Sequence, residues 1–331
     1  MIYVLKLLLS LVVILLGAKY FTNGMEWVGK KYNLTHGAVG SLFAAVGTAL
    51  PETLIPILAI VFGTGELGHA IGIGAILGAP FMLSTIAFVV LGTAALIIKD
   101  RASRHLVPAP TISFDFFFFL SVFPFVIGAA FLPSWGRQLV AIGLILGYGY
   151  FVYYTWVHGE RFEEDDTIEP LAFGRAFSNP PAWLIVTQVL LALGAIIGGA
   201  RLFVDGVTFL SVHLGVPAFV FALLIAPIAT EMPEKFNSVI WIGENKDSLA
   251  LGNITGAMAF QGSLIPALGM VLTPWKLTPG AFWSAAMAWV SVLIAYLFFR
   301  QKRYLSSKLL IISGGTFYVI FIILVVFFGV R

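Results

Sequence analysis

Gly17-Ala18-Lys19-Tyr20-Phe21-Thr22-Asn23-Gly24 returns later in the chain as Gly199-Ala200-Arg201-Leu202-Phe203-Val204-Asp205-Gly206. From each copy the two sequences run without a gap for a further 28 residues. One arrives at Thr48-Ala49-Leu50-Pro51-Glu52, the other at Thr230-Glu231-Met232-Pro233-Glu234. Both endings set a carboxylate and a proline inside long apolar segments. A charge there is costly, and a proline inside a helix forfeits a hydrogen bond. The chain is therefore one plan written twice, with the same two expensive features at the same place in each half.

Working outward, the composition says where such segments can exist. Hydrophobic residues make up 60% of the 331 and charged residues 11%, against about 25% charged in soluble domains. Mean hydropathy is +0.99. Too little polar surface remains to cover a water-soluble globule, so the chain reads as an all-α polytopic membrane protein whose first partner is the lipid bilayer. The net charge of +3 belongs to flanking loops. No basic stripe interleaved with aromatics appears, which argues against a nucleic-acid partner. Cysteine is absent, excluding disulfides and thiolate metal sites. The stretch from Met1 to about Gly24 is too long for a signal peptide and lacks a small-residue cleavage site, so it reads as a mature first helix.

A span needs about 20 apolar residues, and ten candidates are found: 3–29, 37–62, 70–98, 112–132, 138–157, 182–211, 217–242, 248–272, 279–299 and 306–328. The fourth, with Phe116-Phe117-Phe118-Phe119, reads as a plain packing helix. The largest polar insertion, His158 to Pro181 with Glu163-Glu164-Asp165-Asp166, reads as a solvated linker. It divides the chain into a first repeat (1–157), a linker (158–181) and a second repeat (182–331). Lys30, Lys31, Lys99, Arg101, Arg104, Arg161, Arg175, Lys246, Arg300, Lys302, Arg303 and Lys308 fall on one side, against Arg137, Lys276 and Arg331 on the other. The positive-inside rule makes the first set, and the linker, cytoplasmic and both termini extracytoplasmic. Five spans per half is an odd number, so the second half enters from the opposite side and the repeats are inverted. Inverted repeats with interrupted helices place ion sites near the midplane.

In that setting Pro51 frees the carbonyl of Gly47, and Pro233 that of Ala229. Freed carbonyls at depth are tolerated where they line a cavity. Thr48 and Glu52 are four apart, as are Thr230 and Glu234, so on a helix each pair shares a face. Each half then offers a hydroxyl, a carboxylate and backbone oxygens to one point, and oxygen-only ligation selects hard cations: Na⁺, Ca²⁺, Mg²⁺ or Mn²⁺. A structural hydrogen-bonding pair in a kinked bundle is the plainer alternative. In the next spans, Gly74-Ala75-Ile76-Leu77-Gly78-Ala79 aligns with Gly252-Asn253-Ile254-Thr255-Gly256-Ala257, glycines suited to close helix approach. Asn253 and Gln261 lie on roughly one face of span eight, and Gln261 is a plausible neutral ligand. Lys19 and Arg201 are expected to snorkel or to bond a helix end. His36, His69, His105, His158 and His213 all sit near span ends.

Two inverted five-span halves, each with a Gly-Thr-Ser-x-Pro-Glu-like and then a Gly-Asn-x-x-Gly-Ser-Asn-like stretch, resemble the sodium/calcium exchanger family of the calcium/cation antiporter superfamily. The resemblance covers essentially the whole chain. It implies that Glu52 and Glu234 coordinate a central Ca²⁺ and that Thr48 and Thr230 line the ion sites. The departures are Ala49 and Glu231 where the family has serines, Ala79 and Ala257 for Gly-Ser positions, and Leu83 and Gln261 four residues on. Oxygens of the peripheral sodium sites are therefore missing, and one carboxylate, Glu231, is gained.

The expected ligand set is thus Glu52, Glu234, Thr48, Thr230, Glu231, Gln261 and the carbonyls of Gly47 and Ala229, with no cofactor beyond the transported cation. Three crowded carboxylates predict that one carries a proton when no cation is bound, with Glu231 the foremost candidate. The function expected is secondary antiport of a divalent cation, Ca²⁺ first, for H⁺ and/or Na⁺ in a prokaryotic plasma membrane. An antiporter of the same fold for Mn²⁺, Mg²⁺ or Na⁺/H⁺, or a cation channel, stays open. No Ser–His, Cys–His or paired-His set supports an enzyme, and no ATP-binding loop supports a primary pump.

Overall fold

The computed structural model describes residues 2–31, 52–63, 65–98, 104–158, 169–175 and 177–328. These form α1 (Ile2–Lys31), α2 (Glu52–Phe62), α3 (Gly65–Ser84), α4 (Ile86–Ile97), α5 (Ile112–Gly128), α6 (Ser134–His158), α7 (Ala182–Leu214), α8 (Ala218–Gly243), α9 (Asp247–Gln261), α10 (Leu264–Leu272), α11 (Pro279–Lys302) and α12 (Ser307–Phe328). Among the described residues eight spans are long and apolar enough to cross a membrane, α3 with α4 and α9 with α10 each counting as one. Two shorter apolar helices, Glu52–Phe62 and Ala218–Ile228, hold the second and seventh positions in chain order. The linker's acidic run, Glu163 to Asp166, lies outside the described residues.

Local chemistry sets the helix ends. Thr278 caps α11, its hydroxyl accepting from the Ala281 amide, with Pro279 in the first turn. Gly215 closes α7 at φ 64°, a left-handed conformation that glycine adopts without a Cβ clash. Proline precedes α7 and α8, at Pro181 and Pro217.

The internal repeat is written into the packing. α1 and α7 cross at the repeated glycines. A Cβ on Gly17 would meet Ile196 Cγ1 at 2.9 Å, and one on Gly199 would meet Ile14 Cγ1 at 2.8 Å. Gly24 faces Val189 as Gly206 faces Leu7. Ile14 and Ile196 are repeat equivalents, as are Leu7 and Val189, so the crossing is self-complementary about an internal two-fold axis. The same exchange recurs outward: α4 packs on α12 as α10 packs on α6, and α3 packs on α11 as α9 packs on α5.

The helix interruptions obey the same symmetry. α3 gives way to α4 at Thr85, and α9 to α10 at Gly262–Ser263. Thr85 and Ser263 occupy one repeat position, and each amide donates three residues back, to Met82 and Phe260 respectively. Each hydroxyl takes the carbonyl four residues back: Thr85 Oγ1 to Phe81 O at 2.6 Å, Ser263 Oγ to Ala259 O at 2.5 Å. By contrast, α8 runs on through both Pro227 and Pro233. The sequence pointed to a break there. A proline removes one amide donor, and the surrounding turns carry the helix past it; the interruption of the backbone falls one span later.

Ties at one end of the bundle join the halves. Strands β1 (His105–Leu106) and β2 (Leu305–Ser306) pair antiparallel. The Val107 amide donates to Asp247 Oδ2 at 2.7 Å and the Ala109 amide to Ser248 Oγ at 2.8 Å. Elsewhere, the end of the linker docks on α1: Asn23 Nδ2 and Trp27 Nε1 donate to the Glu169 carbonyl, and Asn23 Oδ1 accepts from the Ala172 amide and Gln188 Nε2.

Candidate cation site

Helices α2 and α8, which carry the two glutamate segments, enter one apolar cluster. Ile55, Leu58 and Ala59 of α2 lie with Ala218, Ala222 and Ala226 of α8, walled by Ile71 and Ala75 of α3 and by Phe203 and Val207 of α7. α3 comes against α8 with no side chains between: a Cβ on Gly74 would meet Phe219 O at 2.5 Å, and one on Gly78 would meet Leu223 O at 2.3 Å. Glycine is required at both positions because the obstacle is backbone.

At the deep end of this cluster the chemistry begins. Glu52, one turn before Ile55, is 8% exposed, and Glu231 is fully buried on α8. The Gln261 amide of α9 donates to Glu231 Oε1. Lys235, one turn beyond Glu231 and also fully buried, sets its ammonium 3.5 Å from Glu231 Oε2. Two turns along the same face, Ser238 Oγ accepts from Asn253 Nδ2 of α9 at 3.0 Å. Glu231, Lys235 and Ser238 thus form a polar seam between α8 and α9, bridged by Asn253 and Gln261. The Gln261 Oε1 oxygen is buried and has no hydrogen-bond partner among the described residues. A desolvated acceptor of that kind suits a hard cation.

Of the expected ligands, the structure brings Glu231 and Gln261 into contact and buries Glu52. Gly47 and Thr48 lie outside the described residues. Ala229, Thr230 and Glu234 lie on α8, with their side chains outside the description. Among the described residues no group of three or more His, Cys, Asp or Glu converges as a metal centre.

Two polar residues escaped the sequence reading. Lys235 stands four residues after Glu231, the helical spacing of an ion pair, and lies outside the ligand set expected from the sequence. Its presence changes the expectation of three crowded carboxylates, because an ammonium now faces one of them. Asp115, in the phenylalanine-rich span, accepts from Thr255 Oγ1 at 2.5 Å and borders a cavity of about 290 Å³ with Thr111, Tyr154, His158 and Ser248. A lone carboxylate in an apolar run was the available signal.

Lys19 and Arg201 are exposed, and the Arg201 guanidinium lies 3.9 Å from the ring centre of Phe62, at the end of α2. His105, His158 and His213 are exposed and His69 is half-buried; His36 lies outside the described residues.

The comparisons with known proteins agree with this architecture. The chain is 26% identical to a putative antiporter, CaxA, of Alkalimonas amylolytica over 268 residues, 81% of this chain and 80% of that one. It is 24% identical over 259 residues to a membrane protein of Methanocaldococcus jannaschii, 76% of this chain and 75% of the other. Among solved structures, an H⁺/Ca²⁺ exchanger, CAX, superposes with a TM-score of 0.74 at 16% identity, covering 98% of this chain and 82% of its own. The sodium-calcium exchanger NCX_Mj superposes with a TM-score of 0.56 at 22% identity, covering 97% and 98%. Both likenesses speak to the fold, which is that of a polytopic exchanger with inverted repeats. The model for sodium/calcium exchanger proteins matches residues 2–157 and 184–330, both repeats nearly entire, and the chain belongs to that family.

Proposed function

We propose that the protein is a secondary antiporter that exchanges a divalent cation, Ca²⁺ foremost, for H⁺ and/or Na⁺ by alternating access of its two halves. One observation carries this reading: buried carboxylates and a buried, unpartnered amide oxygen sit in the apolar contact between inverted repeats, where burial is costly without a cation to compensate it. Glu52 and Glu234 are the principal ligands. Thr48, Thr230, Gln261 and the carbonyls of Gly47 and Ala229 complete the oxygen shell of six to eight that Ca²⁺ takes. The similarity to the putative antiporter CaxA and to the H⁺/Ca²⁺ exchanger CAX supports the same assignment. The test is divalent-cation uptake into vesicles holding the purified chain. Saturable Ca²⁺ uptake driven by an H⁺ or Na⁺ gradient is expected. No divalent uptake under either gradient, or an unsaturable flux needing no counter-ion, would end the proposal.

We infer also that 1–157 and 182–331 are oppositely oriented repeats and that 158–181 is cytoplasmic with both termini outside. In support, Arg104 joins Ser307 and the following loop joins Asp247, so basic segments from three connections gather at one end. Glu164→Cys and Arg331→Cys, in a chain with no native cysteine, should label from opposite faces; labelling from one face refutes the five-plus-five arrangement.

A further inference from the structure

We propose that Lys235 is a cation built into the site: it neutralises Glu231 and leaves the charge of two carboxylates, so that one divalent cation exchanges for two monovalent ones with no net charge moved. This rests on the antiport reading above and goes beyond it by fixing the charge stoichiometry.

The geometry joins this pair directly. Lys235 is fully buried, its ammonium 3.5 Å from Glu231 Oε2, and Gln261 donates to the other carboxylate oxygen. Both oxygens of Glu231 therefore face donors within the protein. A lone ammonium or carboxylate at this depth is strongly unfavourable, and removing one member of such a pair leaves the other uncompensated. Glu231 is thereby engaged as the partner of Lys235, and its charge is balanced within the protein.

The charge balance follows. Glu52 on α2 and Glu231 and Glu234 on α8 bring three negative charges, and Lys235 on α8 brings one positive. The remainder of two negative charges is compensated by one divalent cation. When that cation leaves, two monovalent cations restore neutrality for the return step, and an uncompensated charge would have to cross low-dielectric protein otherwise. Gln261 Oε1, buried and neutral, adds an oxygen ligand without altering the balance.

The experiment measures the Ca²⁺ gradient that vesicles reach when the membrane potential is clamped, once with only an Na⁺ gradient and once with only a pH gradient. One uncompensated charge shifts the final Ca²⁺ ratio about 50-fold per 100 mV. The wild-type ratio is expected to stay fixed as the potential is varied, whichever gradient drives uptake, and Lys235→Arg to behave alike. Lys235→Met leaves three negative charges and should make the ratio follow the potential. Should Lys235→Met not fold or not transport, the double variant Glu231→Gln with Lys235→Met, which returns the balance to two, is expected to regain potential-independent exchange at a lower rate. A wild-type ratio that shifts about 50-fold per 100 mV overturns the inference while leaving antiport intact. So does a double variant that folds yet stays inactive while Lys235→Arg works. Wild-type vesicles that move no divalent cation overturn the antiport reading itself, and this inference with it.

Discussion

At one repeat position the first half places Leu83 and the second places Gln261; two residues on, Thr85 answers Ser263. The backbone there is the same in both halves, down to which carbonyl each hydroxyl donates to. The side chains two residues earlier are not. Leu83 is buried in an apolar cluster with Phe81 and Phe88, whereas Gln261 reaches across to Glu231. Symmetry therefore fixes where the helices break and cross. It does not fix what they carry, and among the described residues the polar contacts of the site lie along α8 and α9. The first half contributes a carboxylate and a tightly packed glycine face.

If Glu52 and Glu234 are equivalent ligands despite this asymmetry, Glu52→Gln and Glu234→Gln should each lower Ca²⁺ uptake at least about 100-fold, since loss of even outer partners of a metal site costs about 10–100-fold. Unfolding temperature without cation should hardly change. Normal uptake by either variant would break the equivalence of the halves at their most conspicuous point.

The next effect is smaller and acts on one half alone. Gln261→Leu gives α9 the residue its counterpart has. It removes the donor to Glu231 and the free oxygen, and should raise the Ca²⁺ concentration for half-maximal uptake about 10–100-fold. Leu83→Met, the matched change in the first half, should leave that concentration where it is. Equal responses would show that the polar seam has no part in the site.

The glycine face of the first half makes a third comparison, in stability rather than transport. In Gly78→Ala the new Cβ meets Leu223 O at 2.3 Å and Leu223 Cα at 2.8 Å, atoms that move only with α8 itself. Overpacking of this kind costs about 2 kcal/mol. In Gly147→Ala, at the α5–α6 contact, the nearest atom is Phe118 Cε2 at 3.8 Å, and the melting temperature should hold. Equal melting temperatures for the two variants would contradict the close α3–α8 approach.

How far the sequence alone reaches is set by what repeats and what does not. The repeat was legible because Gly17 and Gly199 recur in register; that these glycines mark the crossing of α1 on α7 is visible only in the packing. The interrupted third and eighth spans were legible as apolar runs, but their break points were not: Thr85 and Ser263 become helix-ending residues only when their hydroxyls turn back on Phe81 and Ala259. The prolines of span seven signalled a break that the helix absorbs. Gln261 was legible because an amide in an apolar span has few other uses. Lys235 was not, although its spacing from Glu231 is that of a helical ion pair, because a lysine beside a carboxylate pattern reads as a flanking charge until its burial is known. Asp115 was hidden by its phenylalanine neighbours, whose packing role it does not share.

The two breaks themselves give the last and smallest comparison. Thr85→Val and Ser263→Ala each remove one hydroxyl from a buried carbonyl, and each should cost about 1 kcal/mol of stability. Their surroundings differ, however. The carbonyl of Ser84 also accepts from Ser291 Oγ of α11 at 2.6 Å, so the first break is held from outside by a neighbouring helix. The second break has Gly262 at the place of Ser84. A Cβ there would meet Phe119 Cδ2 at 2.6 Å, so among the described residues an aromatic ring packs on its backbone from outside. A ring slides where a hydrogen bond must break. If the second half is the one that moves around the ion, Ser263→Ala should speed amide exchange along Leu264–Leu272, while Thr85→Val leaves Ile86–Ile97 nearly as slow as before. Matching increases in both segments would mean that the two breaks are mechanically alike, and that the asymmetry of the halves stops at their side chains.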